Sequence, residues 1–266
     1  MTKYAFFQAH PDDLEISCGQ LMYHLGVRSK GIHEIRIVSV TKGEFGLPGH
    51  QYDRFKGDFL AEIRTKELRS AASILNVPSE NLDFLGYTDG LVPLDRRFVG
   101  VVRDYLQNHR PDVVFAPDGL YTWYYHMDHV NTGRAVFYVI DKKLIDYQPR
   151  LYFYSTLSPN VFFPFRPEDL ELTDRLIACH KTQIWLLHWM KHIIRPTALF
   201  AGLQARGWRY AEPYREVYFG DDSRERNEAG FPIRVFTHFF SGMPFFQAKY
   251  PQEVLQKLKS ESSPKS

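Results

Sequence analysis

The chain has 266 residues, of which 44% are apolar and 24% charged, enough for one substantial core in an ordinary soluble globular protein. Its 33 Lys and Arg against 31 Asp and Glu give a formal net charge of +2, which excludes the strong basic field that nucleic acid requires. No run of 18 apolar residues is present to form a transmembrane helix.

Residues 4–9 are apolar and aromatic and stop at His10-Pro11, so they read as a buried first strand. The opening residues lack a secretory apolar region, and a cytoplasmic location is the default expectation. Leu14, Cys18, Leu21, Met22 and Leu25 fall at helical spacing over 14–28. Ile35, Ile37, Val38 and Val40 mark a second strand over 34–41. Over 58–75, Ile63, Leu68, Ala71, Ala72 and Leu75 share one side of a helix with charges opposite. A short strand at 82–85 and a helix at 97–108 follow. Val113, Val114 and Phe115 make 112–116 a further buried strand, with a helix over 128–145 and a strand at 150–154 behind it.

This alternation implies βαβ units: a Rossmann-like α/β fold with a parallel, twisted sheet covered on both faces. A long helix is expected over 168–191. The pattern loosens after about residue 155, and beyond about residue 190 an aromatic-rich extension runs to 259, wrapped on the same domain, with a frayed polar tail at 260–266. Aromatics make up 15% of the chain, serving either core and subunit contacts or a stacking surface for a flat ligand. Cys18 and Cys179 have no CxxC spacing; they form one disulfide or, as a reduced interior favours, none.

Two motifs carry the chemistry. Ala9-His10-Pro11-Asp12-Asp13-Leu14-Glu15 stands where the first strand ends and a helix begins, the natural ligand crevice of a parallel sheet. His126-Met127-Asp128-His129 follows the 112–116 strand after a loop and opens another helix. Either alone reads as a helix start. Together, at the ends of strands that can be neighbours, they bring histidines and carboxylates to one crevice. A catalytic zinc site keeps three protein ligands and a water.

On these two motifs the sequence resembles the LmbE-like, or PIG-L, family of zinc-dependent N-acetylglucosamine deacetylases. The resemblance extends to Thr41-Lys42-Gly43-Glu44, to Arg64 with Glu67, to Gly86-Tyr87-Thr88-Asp89 and, more weakly, to His180-Lys181-Thr182-Gln183. It implies that His10, Asp13 and His129 hold one Zn2+ per chain and that Asp12 is the general base. His126, held by Asp128, would stabilise the oxyanion or protonate the leaving amine. An imidazolium so paired would have its pKa raised. Tyr124 would help polarise the carbonyl. Arg64 and Asp89 would hold sugar hydroxyls, with Glu44 on the aglycone side. Gly19-Gln20 stands where the family often has two glycines, and Met127 where it often has proline; neither change removes a ligand.

The expected partner is a small N-acetylated amino sugar or glycoside, with no nucleic acid and no membrane. Homo-oligomers, hexamers among them, are implied by the family. The aglycone stays open. The competing classes are a non-haem iron oxygenase, whose two-His-one-carboxylate triad also uses HxD and a distant His, and a sugar-binding pseudoenzyme of the same fold. Tyr121, Trp123 and Tyr125 line a sugar pocket or pack their own loop. Residues 46–57 form a lid or a surface loop. His24, His33, His109, His188 and His192 read as surface or packing residues.

Overall fold

The computed structural model describes residues 1–46, 54–122, 125–221 and 223–241. Its strands are β1 (Thr2–Gln8), β2 (His33–Ser39), β3 (Leu82–Phe84), β4 (Val113–Pro117), β5 (Arg150–Tyr154), β6 (Val161–Phe165) and β7 (Tyr210–Val217). They form one sheet in the order β3-β2-β1-β4-β5-β7-β6. The first five are parallel; β7 runs antiparallel to both β5 and β6. The α/β class expected from the alternation is the one observed.

Strand alternation sorts the core into two layers. Phe6, Ile35, Ile37 and Phe115 pack under α1 (Asp13–Ser17), α2 (Gly19–Tyr23), α3 (Asp58–Ile74) and α6 (Leu170–Cys179). Ala5, Phe7, Val38 and Val114 pack under α4 (Arg96–His109) and α5 (Met127–Asp141). Phe6 stacks on Phe115 at 4.7 Å between centroids, and Phe115 on Tyr152 at 5.1 Å, so part of the aromatic excess is a ladder across the core. α5 lies close on β4: a Cβ at Gly133 would stand 2.0 Å from the Pro117 carbonyl oxygen. Gly133→Ala is therefore expected to destabilise the chain by about 1–3 kcal/mol, read as a lower midpoint in urea unfolding.

Four expectations are corrected. The single helix over 14–28 is broken at Cys18, whose φ is −135°; α1 and α2 flank the break, and the last turn, His24–Arg28, widens to a π-helix. The helix over 168–191 is broken at His180 (φ −90°, ψ 65°): α6 ends at Cys179, and α7 (Ile184–Gln204) starts after a short turn. The helix over 128–145 stops at Asp141. The sheet is mixed rather than wholly parallel, because β6 and β7 were absent from the periodicity. Pro164 and Pro213 hide them. Both are tolerated: β6 is an edge, and β7 meets β5 only through 215–217, beyond Pro213. α8 (Ser223–Asn227) and α9 (Phe231–Ser241) complete the described chain, and the tail at 260–266 lies outside it. Cys18 and Cys179 are free thiols.

β2 and β3 lie on one side of β1, and β4 on the other. The winding reverses between β1 and β4, which opens a crevice at their carboxyl ends.

Candidate metal centre

Both sequence motifs meet in that crevice. The turn after β1 is fixed by Asp13, whose Oδ2 accepts the backbone N–H groups of Ala9 at 3.0 Å and His10 at 2.9 Å. From the other side, α5 begins at Met127 with His126 as its N-cap; the His126 Nδ1 accepts the Asp128 backbone N–H at 3.3 Å. His129, on the first turn, then reaches across. Its Nε2 stands 3.1 Å from His10 Nδ1 and 3.1 Å from Asp13 Oδ1. The three ligand atoms all lie within 4.8 Å of one another.

This donor set fits zinc. Nitrogens bonded at about 2.0–2.1 Å to a tetrahedral ion stand about 3.3 Å apart, close to the separation seen. The tautomer fits as well. His10 donates from Nε2 to Asp128 Oδ2 at 3.0 Å, with Asp89 Oδ1 3.1 Å from the same nitrogen. In the neutral ring that tautomer leaves Nδ1 to face Asp13 and His129, the usual support of a metal-binding imidazole. Burial alone would push the His10 imidazole down, but Asp89 and Asp128 raise its pKa well above the ordinary value. Burial would raise Asp13, yet His129 and His10 hold its carboxyl well below the usual carboxylate range.

Asp12 lies beside the triad without joining it. Its φ of 121° is strained for a residue with a side chain. Burial pushes its carboxyl up to about 6, against the opposing charge of Arg64 and with help from Asp13. Arg64, buried on α3, donates from Nη2 to Asp12 Oδ2 at 3.0 Å and to the Pro11 carbonyl at 2.6 Å, and from Nη1 to the Gly43 carbonyl at 2.8 Å. Gly43 has φ +66°, and a Cβ there would fall 2.0 Å from Arg64 Nη1, so the turn after β2 has room only for glycine.

The structure departs from the expected pairing of His126 with Asp128. The Asp128 carboxylate accepts from His10 Nε2, from the Gly90 backbone N–H at 2.6 Å and from that of Val92 at 3.0 Å. Its hydrogen bond thus goes to the His10 ring, while the His126 ring meets the Asp128 backbone amide. The expected rise in the His126 pKa is reversed: burial, then the neighbouring His10 and His129, lower it to about 4. Asp89 likewise turns to His10, and its Oδ2 accepts the Phe45 backbone N–H at 2.9 Å. Glu44 Oε1 accepts the Asp89 backbone N–H at 3.2 Å and borders a cavity of about 460 Å³ shared with Lys42, Lys66 and Thr88. Tyr124, Trp123 and residues 47–53 of the expected lid lie outside the described residues.

His180 is fully buried, its Nε2 3.1 Å from Glu15 Oε1. The sequence carried no signal for this pairing beyond the weak His180-Lys181-Thr182-Gln183 match, because the two residues are 165 positions apart.

Residues 5–140 match the family PIG-L, described as GlcNAc-PI de-N-acetylase. No curated protein matches. Among solved structures, N,N'-diacetylchitobiose deacetylase from Pyrococcus horikoshii is 27% identical, with a TM-score of 0.70 over 81% of this chain and 83% of that one. A deacetylase of teicoplanin biosynthesis shares the fold at 14% identity and TM-score 0.61, over 84% of this chain and 100% of its own. So does GalB, the 4-carboxy-2-hydroxymuconate hydratase from Pseudomonas putida, at 18% identity and TM-score 0.64, over 82% and 97%.

Proposed function

Because the chain belongs to the PIG-L family, described as GlcNAc-PI de-N-acetylase, we propose that it removes the acetyl group from an N-acetylglucosamine-containing conjugate, with one Zn2+ held by His10, Asp13 and His129. The reading is carried by one observation: His10 Nδ1, His129 Nε2 and Asp13 Oδ1, drawn from two remote motifs, stand at ligand-to-ligand spacing. The oxygenase alternative is not favoured, since the centre sits on α/β strand ends.

An amide carbonyl is a poor electrophile and water a poor nucleophile. When bound, zinc supplies a Lewis acid for the carbonyl and lowers the pKa of its water to about 7. Asp12 takes the proton from the attacking water, with Arg64 fixing its carboxylate in place. As the pH falls through the pKa of Asp12, the base is protonated and kcat/KM declines. His126 has its Nδ1 engaged by the Asp128 amide, so its neutral ring presents Nε2–H as a hydrogen-bond donor to the developing oxyanion. Asp12 then returns its proton to the leaving amine. Asp128 and Asp89 keep His10 oriented. Arg64 acts through Asp12, Asp89 through His10, and Glu44 borders the aglycone side. The cavity beside Glu44, about 460 Å³ and so within the range of small-ligand sites, receives the aglycone.

An acetate-release panel of N-acetylglucosamine glycosides, diacetylchitobiose included, with zinc-loaded protein checks the proposal. Acetate from at least one conjugate, abolished by chelation, is the expected result; none from any of them would sink it.

A further inference from the structure

Large apolar side chains are exposed along α7, as others are along α9. Trp185, Trp189, Phe200 and Leu203 of α7 are 76%, 60%, 63% and 70% exposed. At 3.6 residues per turn, they and Leu199 fall on one side of the helix, and the buried Leu187, Ala198, Ala201 and Gly202 on the other. The stripe runs the length of a 21-residue helix. Trp208 follows it, so three of the four tryptophans in the chain stand in this segment. An apolar face of this extent marks a contact surface.

Charge decides the occupant. From 175 to 211 the chain carries six Lys and Arg and no Asp or Glu. Asp174, just upstream, pairs with Lys191 at 2.8 Å and Arg195 at 3.1 Å, one carboxylate for two cations. Lys181, Arg206 and Arg209 are exposed as well. In a two-fold contact between copies, each basic flank would meet its like, with no acid in the segment to answer it. An anionic lipid surface answers both features: headgroups take the cations, and tryptophan, phenylalanine and leucine enter the boundary of the acyl chains.

We propose that α7 docks the protein, in the plane of the bilayer, on an anionic membrane surface. No helix among the described residues is long and apolar enough to cross a membrane, and a helix lying in the interface needs no span. This revises the expectation of no membrane partner. It goes beyond the deacetylase reading and does not depend on it, since vesicle binding is measured without turnover.

The test is co-sedimentation of the full chain with vesicles of phosphatidylcholine alone and of phosphatidylcholine mixed with phosphatidylglycerol, at low and high salt. Binding is expected to the mixed vesicles, to weaken with salt, and to shift tryptophan emission to the blue. Trp189→Glu and Phe200→Glu should each lower the bound fraction about tenfold with an unchanged thermal midpoint, since both side chains are exposed. Three results would overturn the proposal: no binding to mixed vesicles, equal binding by the variants, or equal, salt-independent binding to neutral vesicles. So would self-association by light scattering that the same substitutions abolish, which would assign the face to a second copy.

Discussion

Asp12→Asn is expected to lower kcat by about 100- to 10,000-fold, the usual worth of a general base, while one zinc ion stays bound. The change keeps the side chain's shape and its acceptor for Arg64 Nη2 but removes the basic oxygen. Asp12 sits outside the triad of ligand atoms, so metal content should not change. KM should move little. The acid limb of kcat/KM, assigned to Asp12 with its carboxyl pushed up to about 6, should disappear in what activity remains. Full turnover by Asp12→Asn would transfer the base role elsewhere. Loss of metal together with activity would make Asp12 a ligand.

Breaking the Asp118–Arg215 pair should have the largest effect on stability. Arg215, on β7, donates from Nε and Nη2 to the two Asp118 oxygens, both at 2.9 Å, and both side chains are buried. Asp118 Oδ1 also accepts the backbone N–H groups of Leu120 at 2.8 Å and Tyr121 at 2.9 Å, and the Arg215 guanidinium lies over the Tyr121 ring. The pair thus ties β7 to residues 118–121, upstream of His126. Arg215→Ala strands a buried carboxylate, at a cost of about 3–5 kcal/mol, or on the order of 10 °C in Tm for a chain of this size. Both are read from urea and thermal unfolding. The double substitution Asp118→Leu with Arg215→Met should be less destabilising than Arg215→Ala, because no charge is left unpaired. Equal losses would mean that packing, not the buried charge, sets the cost.

The parts of the fold legible in the sequence are those that one local rule governs. Ile35, Ile37 and Val38 declared β2 by composition, and Leu68, Ala71, Ala72 and Leu75 declared α3 by spacing. Position at the ends of β1 and β4 then brought His10, Asp13 and His129 together, since the sheet order makes those ends neighbours. What was not legible depended on partners far along the chain. The break at His180 goes with a buried contact to Glu15 that no window around residue 180 contains. β6 and β7 were obscured by Pro164 and Pro213, tolerated only because of where each strand pairs. The family resemblance implied Asp128 as the partner of His126. At the start of α5, however, its carboxylate points to His10 and to the amides of Gly90 and Val92, and His126 turns its Nδ1 to the backbone.

The claim on which the rest depends is that two segments over 100 residues apart hold one divalent ion. Zinc titration of the metal-stripped protein by calorimetry, beside His10→Ala and His129→Ala, tests it most directly. One equivalent is expected for the unaltered chain, with a loss of at least about 100-fold in affinity for both variants, as each removes one of three ligands. Stoichiometric, undiminished binding after either substitution would show that the two motifs do not share a metal.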